Sequence, residues 1–344
     1  TGRSRAAGGP GSASADRATL TACMHPPESE APTGQNQSHH DPSGSPAEQN
    51  ARDFQALRES GEQPGASRSI GSAVAAARDT VAGQLVRLGA TPNRITLAGF
   101  LLTCGGAYCL ARGASQQVPY LAVGGEAAGW WPVLASGFLL LAGACDMLDG
   151  AVARLGKLGS RTGAVLDSSV DRFSDMAVYL GCFLHFALLR PPNLTYQILA
   201  IAALCNGVLI SYVKARAENL IPDCSVGYWL RGERWAAMLI GCATGHVPAV
   251  LWLMAVGCLL TVRRRISYAC RMVRALDAGR PFPPRGPDPG WPGRFQLWRH
   301  PRGSIGYDLV TGVNVAYIIF APLVWPALRA GGPHPDPLGT WLAG

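Results

Sequence analysis

Residues 146–171 read DMLDGAVARLGKLGSRTGAVLDSSVD. Asp146 and Asp149 are three apart, and Asp167 and Asp171 are four apart. Either spacing puts both members of a pair on one helix face. The first pair follows the apolar run GFLLLAGAC (137–145), and the second precedes MAVYLGCFLHFALL (176–189). Two helices, each presenting a carboxylate pair beside an apolar segment, make a pocket for divalent cations. One aspartate in such a place reads as a cap or an arginine partner. Four repel one another and are costly beside a membrane unless a cation relieves them. All-oxygen coordination points to Mg2+ or Mn2+, and two ions close together suit a diphosphate. Gly150 and Gly163 let a ligand approach the backbone. Arg154, one turn past Gly150, can meet phosphate oxygens through charge-assisted hydrogen bonds.

The wider chain fits a membrane protein. Of 344 residues only 15% are charged, and mean hydropathy is +0.13. Residues 1–70 carry net charge −2, which leaves +10 of the total +8 on the remainder. Basic charge beside apolar segments suggests an anionic membrane surface or phosphate-bearing substrates. No basic stripe is interleaved with aromatic residues, so nucleic acid is not an expected partner. The ten cysteines form no CxxC and read as small buried hydrophobes.

Residues 1–70 are rich in Gly, Ser, Pro and Ala and are expected to be a disordered tail. They contain no long apolar run, so no secretory signal is expected in them. Residues 71–89 predict an amphipathic surface helix ended by Gly89. Thr91 and Pro92 predict an N-cap and first turn. Six apolar segments follow: Ile95–Leu110, Trp130–Leu148, Ala164–Leu189, Tyr196–Val213, Trp235–Thr244 and Ala249–Val262. Arginines and lysines concentrate in 150–163, 214–234 and 263–274, whereas 113–129 and 245–248 have none. The positive-inside rule then places the N-terminus and the aspartates on the cytoplasmic side, with Arg112 and Arg190 as exceptions. The expected fold is all-α: a polytopic bundle of six core transmembrane helices behind a surface helix. Residues 276–304 form a Pro-, Gly- and Arg-rich linker, and 305–344 hold an extra apolar segment and tail. Within it, Gly306–Leu328 is either a seventh span or a helix packed on the bundle.

The pattern D-x2-D-G-x2-A-R-x8-G-x3-D-x3-D resembles the signature of the CDP-alcohol phosphatidyltransferases. Asp146, Asp149, Gly150, Ala153, Arg154, Gly163, Asp167 and Asp171 match every fixed position. The resemblance covers roughly residues 72–275. It implies a six-helix membrane enzyme, often a homodimer, that moves a phosphatidyl group from CDP-diacylglycerol to an alcohol and releases CMP. It implies that the four aspartates hold two metals and that Asp171 is also the catalytic base. Gly150, Ala153, Arg154 and Gly163 would line the CDP site. A second stretch, SYVKARAE (211–218) followed by RGER (231–234), resembles the branch that uses inositol phosphate. It implies that Lys214, Arg231 and Arg234 hold an acceptor phosphate; Arg265, at the inner end of the sixth segment, is a further candidate. Inositol 1-phosphate is the favoured acceptor and glycerol 3-phosphate the alternative. Membrane prenyltransferases hold their aspartate clusters on well-separated segments, unlike Asp149 and Asp167 here. A cation transporter would carry its carboxylates near the midplane rather than at the edge.

Overall fold

The computed structural model describes residues 66–123, 125, 127–281 and 302–343. Most of the expected tail and of the expected linker, and the adjacent His39 and His40, lie outside the described residues. Among the described residues there are helices and one isolated bridge, Gln117 to Ala128, but no strands. The helices are α1 (Ala66–Arg87), α2 (Pro92–Arg112), α3 (Trp131–Leu155), α4 (Arg161–Ala187), α5 (Leu194–Ala217), α6 (Arg231–Thr244), α7 (Val247–Asp277), α8 (Ile305–Val324) and α9 (Pro337–Ala343). The surface helix begins earlier than expected. Ala66–Ile70 are already helical, and the Ser67 N–H donates to Asp308 of α8 at 3.1 Å. Gly89 has φ +73, the left-handed conformation that ends α1 cheaply. Thr91 stands at the N-cap of α2 with Pro92 behind it, but its side chain makes no capping bond.

Five helices, α2, α3, α5, α7 and α8, are long and apolar enough to cross a membrane. This makes the chain a multi-pass membrane protein. Two of the six expected core segments are not among the five, for separate reasons. In α4, 27 residues give ample length, but Asp167, Asp171, Arg172 and Asp175 lower its hydropathy. In α6, 14 residues span about 21 Å, short of a hydrocarbon core about 30 Å thick. The extra segment α8 does qualify, in spite of Pro322 near its end. The basic stretch 263–274 is no loop: α7 runs through it as one helix of 31 residues.

Small residues set the packing. α2 lies against α3 and α4, α4 against α5, and α5 against α7. At Gly181 of α4, a Cβ would come within 2.8 Å of the Ala107 backbone on α2. At Gly143 of α3, it would come within 2.8 Å of Trp235 Nε1, which donates instead to the Leu139 carbonyl. Such close approaches give dispersion contact where water cannot drive association. Tyr179, Cys182 and Phe186 of α4 are buried in the same core as Met238, Cys242 and Met254. His185 and His246 are also buried, each bonded to a backbone carbonyl, of Leu110 and Ile318 respectively. Cys205 and Cys270 are exposed rather than buried.

The C-terminal residues clasp the start of α5. Asp336 accepts from the Leu194 and Thr195 N–H groups and from Thr195 Oγ1 at 2.6–3.0 Å. Burial opposes its ionised form, but hydrogen bonds from Thr195, Leu194 and Gly339 outweigh that and bring its pKa to about 2. Asn193, which begins an Asn-Leu-Thr sequon, is buried as the α5 cap and accepts from the Tyr196 N–H.

Candidate active site

Asp146 on α3 comes close to Asp167 and Asp171 on α4, both helices packing against α2. Oxygens of Asp146, Asp167 and Asp171 lie within 4.8 Å of one another, a grouping fit to hold a metal ion. Three hard oxygen donors suit Mg2+ or Mn2+ and disfavour softer metals. Asp149 stands apart from this trio. It is buried, its Oδ2 accepts from Thr96 Oγ1 of α2 at 2.7 Å, and its Oδ1 accepts from the Gly150 N–H.

The glycines of the motif have local reasons. Ser160 caps α4, its Oγ accepting from the Gly163 N–H at 3.0 Å. A Cβ on Gly163 would sit 2.9 Å from that oxygen and 3.5 Å from Asn93 Oδ1. A Cβ on Gly150 would sit 3.5 Å from Arg154 Nη1, so the Arg154 guanidinium lies back over Gly150. Ala153 and Arg154 are half-buried on the last turn of α3.

A cavity of about 650 Å³ opens beside the cluster. Asp146, Asp149, Asp171 and Arg231 line it together with the apolar Phe100, Leu140, Met147, Val170 and Leu239; Asp167 is outside the lining. Arg78 of α1 also reaches its lining. Gly150, Ala153, Arg154 and Gly163 are outside that lining.

The four basic candidates for the acceptor separate. Arg231, at the start of α6, is the one that joins the carboxylates. Its Nη1 is 2.5 Å from Asp146 Oδ1 and 2.8 Å from Asp171 Oδ1, and its Cζ lies 5.8 Å from the centre of the Trp235 ring. Arg234 is buried and bonded to Asp175 Oδ2 at 3.0 Å and to the Trp229 carbonyl. Arg265 is buried and donates to the carbonyls of Val226 and Ile210. Lys214 is partly exposed, with Glu218 Oε1 at 3.8 Å. The structure therefore does not bring Lys214, Arg234 and Arg265 to the carboxylate trio.

Sequence reasoning missed Thr96, Asp175 and Arg172. Asp175 continues the four-residue step of Asp167 and Asp171, a signal that was available. Arg172 lies 3.7 Å from both Asp171 and Asp175 and donates to Ser211 Oγ. Thr96 gave no signal, because its partner is 53 positions away.

A multi-pass helical bundle with clustered carboxylates beside a largely apolar cavity offers a site for a divalent ion next to room for an apolar ligand. The sequence profile of the CDP-alcohol phosphatidyltransferases matches residues 90–273, and the chain belongs to this family of enzymes. It is 34% identical over 196 residues to the phosphatidylinositol phosphate synthase of Mycolicibacterium smegmatis, covering 54% of this chain and 80% of that protein. It is 32% identical over 187 residues to the archaetidylinositol phosphate synthase of Methanothermobacter thermautotrophicus, covering 52% and 84%. It is also similar to the crystal structure of Mycobacterium tuberculosis phosphatidylinositol phosphate synthase with CDP-DAG bound. There the identity is 28% and the TM-score 0.47, over 56% of this chain and 92% of that one.

Proposed function

We propose that this enzyme transfers the phosphatidyl group of CDP-diacylglycerol to inositol 1-phosphate at the cytoplasmic face of the cell membrane. The observation that carries this reading is the meeting of Asp146, Asp167 and Asp171, two of which, Asp146 and Asp171, line a largely apolar cavity. A lipid diphosphate has the matching shape, with a charged head and apolar tails. The relatives named for inositol phosphate products, and the cations at 214–234, support a phosphorylated acceptor.

Asp146, Asp149, Asp167 and Asp171 would hold two divalent ions, which when bound neutralise the diphosphate and make its phosphorus more electrophilic. Asp171 takes the proton from the acceptor hydroxyl. That oxygen bonds to the β-phosphorus, and the bond from this phosphorus to the bridging oxygen breaks, so CMP leaves. Thr96 keeps Asp149 oriented toward the cavity. Arg154, with Gly150, Ala153 and Gly163, receives the CDP moiety. Arg231 and Lys214 receive the acceptor phosphate, whereas Arg234 and Arg265 hold the surrounding framework. The catalytic domain is assigned to 72–275, with α8 of the 305–344 segment packed against α6 and α7.

The test supplies purified protein with CDP-diacylglycerol, Mg2+ or Mn2+, and a panel of acceptors, and identifies the lipid product. Phosphatidylinositol phosphate with stoichiometric CMP is expected. Phosphatidylglycerol phosphate as the main product would overturn the acceptor, and absence of CMP would overturn the reaction.

A further inference from the structure

Arg231 is the cation nearest the carboxylate trio, and its bonds are spent there. Nη1 sits between Asp146 Oδ1 and Asp171 Oδ1 at 2.5 and 2.8 Å. Both aspartates belong to the group whose oxygens could hold a metal ion. A guanidinium on these carboxylates and a divalent ion among the same three repel each other, as like charges at short separation, so each weakens the hold of the other. Two looser contacts flank Arg231. Its Nε faces Asp175 Oδ1 at 4.0 Å, and its Cζ lies 5.8 Å from the centre of the Trp235 ring. Neither contact involves the trio, so both can persist when Nη1 lets go.

We propose that Arg231 is the resident counterion of Asp146 and Asp171, competes with the divalent ion for their oxygens, and turns to the acceptor phosphate only once the ion displaces it. This rests on the reading of the trio as a metal site. Its consequence is an order of assembly. Before the ion enters, the side chain that should meet the acceptor is engaged elsewhere. After it enters, Arg231 is released beside the reacting centre, still flanked by Asp175 and Trp235. Ion and acceptor then bind with positive coupling, and by reciprocity each strengthens the other to the same degree.

The experiment measures Mn2+ binding to the full-length purified protein by the electron paramagnetic resonance of free Mn2+, for wild type, R231Q, R231K and D167N. R231Q should bind Mn2+ more tightly than wild type, by roughly tenfold or more with both charge-assisted pairs lost. R231K should fall between them, since a point charge cannot reproduce the guanidinium fork. In wild type, Mn2+ should tighten the binding of inositol 1-phosphate measured by calorimetry, and R231Q should lose that coupling. Tighter metal binding together with weaker acceptor binding is a pairing that general damage to the fold does not produce. Equal or weaker Mn2+ binding by R231Q overturns the competition. Should R231Q fail to fold, R231K decides: tighter Mn2+ binding supports the proposal, and equal or weaker binding overturns it. Failure of the underlying metal-site reading looks different, with wild type and D167N binding Mn2+ alike.

Discussion

Asp149 and Asp171 carry the same side chain in the same motif but have different surroundings. Asp149 is buried against α2 and held by Thr96, while Asp171 faces Arg231 and Arg172 at the cavity. Their substitutions should therefore fail differently. Asp171→Asn removes the proposed proton acceptor and should abolish CMP release, with folding and CDP-diacylglycerol binding kept; substantial turnover by this variant would remove Asp171 as the base. Thr96→Val leaves a buried carboxylate short of one hydrogen bond, a loss of about 1.5–3 kcal/mol for a bond to a charged group. Part of that should appear as a kcat/KM roughly tenfold lower, restored by Thr96→Ser, which keeps the hydroxyl. A Thr96→Val enzyme with wild-type kinetics would show that Asp149 needs no such support. The aspartates were legible because they recur within 26 residues at helical steps. Thr96 was not, because helix periodicity says which face a residue occupies and nothing about which helix lies opposite. The basic residues show the same limit. Charge sidedness brought Lys214, Arg231, Arg234 and Arg265 to one membrane face, but only packing separated the cavity-lining Arg231 from the buried Arg234 and Arg265.

Among the elements, α4 carries the most conflicting demands. It must present Asp167 and Asp171 at one end and bury Tyr179, Cys182 and Phe186 at the other. Its contact with α2 is tightest at Gly181, where a Cβ would meet Ala107 backbone at 2.8 Å. Backbone cannot move aside as a flexible side chain can. Gly181→Val should therefore push α2 and α4 apart and cost about 1–3 kcal/mol or more, seen as a lower unfolding midpoint in detergent. Because α2 also carries Thr96, activity should fall with stability; an unchanged midpoint would show that the contact is slack. The apolar runs predicted where helices lie, and the signature placed both aspartate pairs on them. Helix ends were less legible. Arg263, Arg264 and Arg265 signalled the membrane edge, but nothing about their charge signalled that α7 continues to Asp277. Likewise composition sets the tail's end at residue 70 and not at 65, because Ala, Ser and Gly look alike in a linker and in a small-residue helix docked on Asp308.

For the molecule as a whole, the charge map makes a directional claim. Cys270 is exposed on the part of α7 beyond the apolar segment, with Arg263, Arg264 and Arg265 before it and Arg271 and Arg274 after it. In inside-out vesicles a membrane-impermeant maleimide should label wild type more than C270S. In right-side-out vesicles the two should be equal, and the reverse result would invert the proposed orientation. The family profile ends at residue 273, but the packing does not. Glu233, two residues from Arg231, is buried and receives Arg302 through Nε and Nη2 at 2.6–3.0 Å and Tyr307 Oη at 2.8 Å. Arg302 stands near the end of the expected linker and Tyr307 on α8, both beyond the profile. A version trimmed to the shared domain would strand a carboxylate in the interior beside Arg231, the residue that touches the site most directly. For this chain the unit that evolution repeats and the unit that can be cut out with scissors are therefore different lengths.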